Sequence, residues 1–175
     1  MNRVICLILT VLLLSSLCGC HFGKSADLLE PVEFCYPRRS DAFIYSADDG
    51  VLGTEMREAS GHKDDLNYLL SMYLRGPQDN NLRSPFPDGC KLEEVRHGGN
   101  TVCLVLSAEF AALENVELTL ACASLTKTCL GLTDASRIRI DAVSETKTVS
   151  ITMDAKSLLL ADYSAFENPQ TPEEP

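Results

Sequence analysis

The chain has 175 residues, with 15 Lys or Arg against 25 Asp or Glu, a formal charge of −10. That length fits one domain of ordinary size or two small ones, and the acidic balance excludes a nucleic-acid partner held through its phosphates, which needs a basic face. With 45% apolar and 23% charged residues, the chain is too hydrophobic to be disordered throughout.

The first twenty residues read MNRVICLILTVLLLSSLCGC. One basic residue, Arg3, precedes an apolar run that ends near Leu17. As a helix, Val4 to Leu17 would span about 21 Å against a hydrocarbon core of about 30 Å, so the layout is that of a secretory signal peptide over 1–19. Leu17-Cys18-Gly19-Cys20 resembles the bacterial lipobox, in which a small residue precedes the cysteine that becomes a lipidated N-terminus. The resemblance implies that Cys20 carries the lipid and that 20–30 tethers a domain to the outer face of the cell membrane. Two or three acyl chains, at about 0.8 kcal/mol per buried CH₂, anchor stably where one does not. Of the eight cysteines, Cys6 and Cys18 then leave with the signal, and Cys35, Cys90, Cys103, Cys122 and Cys129 remain beside Cys20. Five is an odd number and no C-x-x-C follows the signal, so neither a full disulfide framework nor a zinc site is indicated. One disulfide is open to Cys35, Cys90 or Cys103 in an oxidising compartment, with no pair specified.

Next along the chain, Val32, Phe34 and Tyr36 alternate, as do Phe43 and Tyr45, then Leu52, Thr54 and Met56, with Asp48-Asp49-Gly50 as a turn. Leu66, Leu69, Leu70, Tyr73 and Leu74 form one helical stripe, started by Asp64 or Asp65 and stopped by Gly76-Pro77. A loop with Pro85, Pro87 and Asp88-Gly89 follows. Lys91–Arg96 and Thr101–Leu106 flank a His97-Gly98-Gly99-Asn100 turn, and the continuous apolar run Val102–Leu106 predicts a strand covered on both faces. Ser107 is placed to cap a short turn ending in Phe110. A second helix runs from about Val116 to Leu130, with Asn115 as its cap and Leu118, Cys122, Leu125, Cys129 and Leu132 as its buried stripe. Ile138, Ile140 and Ala142 alternate, as do Val149, Ile151 and Met153, making a hairpin turned at Ser144 to Thr146. Arg137, Arg139 and Lys147 fall on a solvated face. The fold class is therefore α+β: a single compact domain over 31–165, two helices on a small sheet in a helix–strand–strand–helix–strand core, with extra N-terminal strands and a C-terminal hairpin. Residues 166–175, rich in Pro and Glu, read as a disordered tail.

Chemistry is sparse. His21, His62 and His97 lie in a tether, a loop and a turn, none in a nucleophile motif, and no H-E-x-x-H, G-x-S-x-G or phosphate loop occurs. Glu93-Glu94 and Glu109 read as solvated carboxylates, and Cys103 inside an apolar strand reads as an inert thiol. No cofactor, metal or catalytic residue is indicated.

Three punctuating runs appear in a fixed order: Leu74-Arg75-Gly76-Pro77, then Leu82-Arg83-Ser84-Pro85-Phe86-Pro87-Asp88-Gly89, then Leu104-Val105-Leu106-Ser107-Ala108-Glu109-Phe110 ahead of the Leu118–Leu132 helix. Over roughly 43–142 this pattern resembles the GerMN domain, the sporulation and spore-germination module of bacterial envelope lipoproteins. The chain departs from it where family members often carry an acidic residue at the position of Val105, and where Asp141 is followed by Ala142 rather than Gly. The resemblance implies a non-enzymatic, membrane-anchored binding or assembly module of the cell envelope, linked to sporulation or germination, with an envelope or sporulation protein as partner. Arg83, beside the proline loop, is the exposed candidate for partner binding. The alternative is a cell-wall hydrolase or its regulator, which would need two convergent carboxylates or a metal in a cleft.

Overall fold

The computed structural model describes residues 29–39 and 50–158. Cys20, the tether, the Phe43–Tyr45 segment, most of the Asp48-Asp49-Gly50 turn and the C-terminal tail lie outside the described residues. Two strands, β1 (Pro31–Pro37) and β2 (Leu52–Glu58), pair antiparallel as a ribbon. Helix α1 (Leu66–Leu74) leads into a second sheet of four strands: β3 (Leu92–Gly98), β4 (Thr101–Leu106), β5 (Arg137–Val143) and β6 (Thr148–Asp154), in that spatial order. The β4–β5 pair is parallel, connected through a one-turn helix α2 (Ala108–Ala111) and the long helix α3 (Asn115–Leu132). The fold is α+β, and its helix–strand–strand–helix–strand core is the one the periodicities predict.

Helix α1 begins where Asp65 accepts the Tyr68 amide at 3.0 Å. It ends where Gly76 takes φ +90° and donates its N–H to the Tyr73 carbonyl, a conformation that favours glycine. Its buried side chains are Leu69, Leu70 and Tyr73. Helix α3 packs against both sheets, on β1 and on β5 and β6. Cys122, Leu125 and Cys129 are buried as the heptad-like spacing requires, but Ser124, Thr126 and Thr128 are buried too. Thr128 Oγ1 accepts the Cys35 amide at 2.9 Å and so satisfies one backbone group of β1, Ser124 Oγ donates within the helix to the Ala121 carbonyl at 3.2 Å, and the buried Thr126 Oγ1 has no hydrogen-bond partner among the described residues. The N-terminal strands are thus no appendage: they form the layer that closes the core over α3.

Several expectations need correction. In β2 the face carrying Thr54 and Met56 is exposed, and Gly53 and Arg57 are buried instead. A Cβ at Gly53 would lie 2.7 Å from Leu82 Cδ2, so Leu82 packs directly against bare backbone on that inward side. Strand β4 is interior in the sheet but buried on one face alone, through Val102, Leu104 and Leu106, while Cys103 and Val105 are half-exposed on the other. An all-apolar strand reads the same whether one face or two are covered. Asn115 is no cap; it is the first helical residue, at φ +49°, and Glu114 holds the cap position. Ser107 does precede α2, but its hydroxyl accepts the Lys91 amide at 3.0 Å, tying the helix back to the chain entering β3. Lys147 is not simply solvated: its Nζ donates to the Leu113 carbonyl at 2.6 Å.

A buried ion pair joins these parts. Glu55 and Arg57, two apart on the inward face of β2, retain 9% and 6% side-chain exposure and are in direct contact. Arg57 also donates to the carbonyls of Met72 and Gly76, at the end of α1. Glu55 Oε2 accepts the amides of Gln78 and Asp79 at 2.9 Å each. The guanidinium further lies 5.5 Å from the Phe34 ring centroid. Removing one member strands the other charge in the interior, at a cost of about 3–5 kcal/mol. Arg57→Met is therefore expected to lower unfolding stability by that amount in urea titration; a loss under about 1 kcal/mol would mean that the pair is effectively solvated.

Candidate functional site

Beneath the surface, an aromatic line fixes the ribbon to the loop that carries Arg83. Tyr36 and Tyr73 stack with centroids 4.6 Å apart. The Tyr36 hydroxyl donates to the Tyr73 carbonyl and the Tyr73 hydroxyl to the Cys35 carbonyl, both at 2.7 Å. Burial pushes both phenols well above their ordinary range. Tyr73 continues edge-on to Phe86, and Phe86 reaches Phe110 at 6.3 Å. Phe86 belongs to the proline loop, so the run Ser84-Pro85-Phe86-Pro87 serves to insert one aromatic ring into the core.

Arg83 emerges from this anchored loop. Its backbone N–H donates to the Pro37 carbonyl, next to an isolated bridge between Arg38 and Leu82, so residues 81–83 extend the ribbon beyond β1. Its guanidinium grips Glu117, on the first turn of α3, with two bonds of 3.0 and 3.3 Å. Arg83 is one-third exposed and Glu117 about half. The pair holds the loop to the helix while leaving one edge of a planar, permanently charged group at the surface.

A second surface is the outer face of the four-stranded sheet, which no element covers among the described residues. The strand registers bring Arg96, Cys103, Arg139 and Thr152 into one row and Glu94, Val105, Asp141 and Ser150 into the next. Arg96 pairs with Glu94 at 2.5 Å. Asp141 accepts from Arg139 Nε at 2.9 Å, from the Ser150 hydroxyl at 2.7 Å and from the Cys103 thiol at 3.2 Å. Partial burial pushes the Asp141 carboxyl up, but the bonds from Ser150, Arg139 and Cys103 outweigh it and hold it below the usual range. Burial, then the bond to ionised Asp141, moves the Cys103 thiol the other way, upward. No sequence signal pointed to this lattice, because the register that assembles it is long-range.

The remaining candidates are dispersed. His62 stacks on Tyr68 at 4.0 Å, and His97 helps line a pocket of about 410 Å³ at the start of α1 with Asp64, Asp65 and Thr133. The Arg96 hydrogen bond lowers the Glu94 pKa, and the Ser107 hydroxyl lowers that of Glu109, the reverse of what a general acid needs. Cys35, Cys90, Cys103, Cys122 and Cys129 are all free thiols. Burial raises Cys35 and Cys90 to about 11 and Cys122 to about 12, and raises Cys129 as well. Among the described residues no group of His, Cys, Asp and Glu could hold a metal ion, and no helix is long and apolar enough to cross a membrane.

No family model matches the sequence, and neither does any curated protein. Among solved structures, the chain is similar to the tandem GerMN domains of the sporulation protein GerM from Bacillus subtilis, with 16% identity over 70% of this chain at a TM-score of 0.48. It covers 44% of that chain, less than half its length. It is also similar to a protein described as a lipoprotein from Clostridium perfringens, with 16% identity over 79% of this chain and 97% of that one, at a TM-score of 0.43.

The Asp141 lattice generates a pH test. A carboxyl whose folded pKa is depressed contributes stability that is fully present above the ordinary Asp value of about 4 and is lost as pH falls through the folded value. Asp141→Asn should flatten the decline of unfolding free energy below about pH 5 relative to the parent. Identical pH profiles for the two proteins would show that the carboxylate gains nothing from Ser150, Arg139 and Cys103.

Proposed function

We propose that this protein is a membrane-anchored, non-enzymatic docking module of the bacterial cell envelope, linked to sporulation or spore germination. Its signal peptide is removed and Cys20 carries the lipid that holds it on the outer face of the cell membrane. The observation that carries the reading is the order of punctuating runs resembling GerMN, each of which meets a specific scaffold requirement. Gly76 supplies the positive φ and the carbonyl that Arg57 reads, Phe86 supplies the core ring, and Ser107 receives the Lys91 amide. That scaffold displays two surfaces for a partner, the Arg83 corner and the open sheet face.

The tether sets the geometry. Leu29 lies nine residues after Cys20, so the domain hangs within about 30 Å of the lipid. Arg83 lies beside Pro37, at the opposite end of β1 from Pro31 and hence from the tether. With a net charge of −10, the chain gains no general attraction to an anionic membrane, and retention rests on the lipid.

Cys20→Ala is expected to abolish acyl labelling and to move the protein from the membrane fraction to the soluble one or leave it as unprocessed precursor. In cells carrying the parent, crosslinking through the envelope should capture a protein partner, and Arg83→Ala should reduce that capture while shifting stability by less than about 1 kcal/mol. Unchanged lipid labelling in Cys20→Ala would remove the anchoring. Cleavage of wall material by the purified protein, with no partner captured, would remove the docking role.

A further inference from the structure

The two edges of the four-stranded sheet are built differently. At β3 the register shifts between Leu92 and Glu94, and the strand carries Glu93, Glu94 and Arg96; bulges and charges of this kind block pairing with another chain. At the other edge, β6 pairs with β5 in unbroken register over seven residues and carries no charge before Asp154. The hairpin turn fixes the direction of its backbone groups. Ser144 N–H donates to the Lys147 carbonyl at 2.8 Å, so by alternation Val149, Ile151 and Met153 exchange bonds with β5, while the amides and carbonyls of Thr148, Ser150 and Thr152 point outward. Those outward groups have no backbone partner among the described residues.

We propose that β6 is a self-association edge, which pairs antiparallel with β6 of a second copy of this chain across a two-fold axis at Ile151. The strand's own symmetry selects this occupant. Around Ile151 the sequence Thr148-Val149-Ser150-Ile151-Thr152-Met153-Asp154 is palindromic in character. The two-fold sets Ile151 against Ile151 in a non-hydrogen-bonded pair, where side chains approach most closely. It sets Val149 against Met153 on the core side. On the outer side it sets Ser150 against Thr152 as a hydrogen-bonded pair, which uses the outward amides and carbonyls. The single charged residue, Asp154, meets Thr148 and not its own copy, so no like charges oppose each other. In one copy Ile151 and Met153 face the core yet stay only partly buried; the second copy's Ile151 and Val149 would cover them. The contact is isologous and closes at two copies. One strand pair is a small interface, so the association is reversible and depends on concentration. Confinement of anchored copies to a membrane plane would strengthen it, but the pairing does not itself require the anchor.

The test uses the full chain in sedimentation velocity across a concentration series. The parent is expected to shift from monomer to dimer as concentration rises. Thr152→Pro removes an outward N–H without touching the bonds to β5, and should weaken association by about tenfold or more while keeping the parent's melting curve. Independently, Ile151→Cys should form a disulfide-linked dimer under mild oxidation, whereas Glu93→Cys on the other edge should not. A parent that stays monomeric throughout, a folded Thr152→Pro variant that dimerises as well as the parent, or equal crosslinking at 93 and 151 would each overturn the proposal.

Discussion

The fold depends on a charge pair placed where charges are expensive. Glu55 and Arg57 leave water together, and an isolated ion in such a place would cost several kcal/mol even after relaxation. What makes the site tolerable is that the donors and acceptors have many partners. Arg57 serves Glu55 and the carbonyls of Met72 and Gly76, and Glu55 takes the amides of Gln78 and Asp79 as well. The groups it satisfies are those a helix end and a tight turn leave orphaned. One pair on β2 thereby fastens the end of α1 and the first turn of the loop that leads to Arg83 and Phe86. A hydrophobic pair of equal volume would pack there, yet would leave the Gln78 and Asp79 amides and two helix-end carbonyls without partners.

From that clamp outward, the layers follow. The ribbon is held against α1 by Arg57 and the Tyr36–Tyr73 exchange, and against α3 by Thr128. With helices occupying the inner side of the four-stranded sheet, its other side is left to the Arg139–Asp141–Ser150 lattice and the half-exposed Val105 and Cys103. That face and the Arg83 corner are both built directly on elements of the core.

Much of this architecture was legible in the sequence because it is locally encoded. The stripe Leu66, Leu69, Leu70, Tyr73, the Asp65 cap and the Gly76-Pro77 stop define α1 within a dozen residues, and both hairpins declare themselves by alternation and turn residues. Cys122, Leu125 and Cys129 likewise announce a buried helix face. Several misreadings have a deciding partner that is remote in sequence, whereas Asn115 differs by one position at the start of α3 and the all-apolar run of β4 does not show how many of its faces are covered. Glu55 and Arg57 give no sequence signal of a buried pair, because Met72, Gly76, Gln78 and Asp79 reach them only in the fold. Thr54 and Met56 present the more apolar face of β2, yet Gly53 faces inward, where Leu82 packs close against its backbone. Thr128 gives no sign of a buried role until β1 lies on it. The candidate surfaces fared in the same way: Arg83 stood out beside its proline loop, but its hold on Glu117 spans 34 residues, and the Asp141 lattice draws on three strands.

The most direct measurement of the clamp is native-state hydrogen exchange at the Gln78 and Asp79 amides. Both lie in a surface turn, where exchange would ordinarily need only local fluctuation. If Glu55 and Arg57 hold the ribbon, α1 and the loop as one unit, these two amides will exchange only through global unfolding, with the same opening free energy as the Leu104 amide in β4. Exchange of Gln78 and Asp79 at a much lower free energy, while β4 stays protected, would contradict the account.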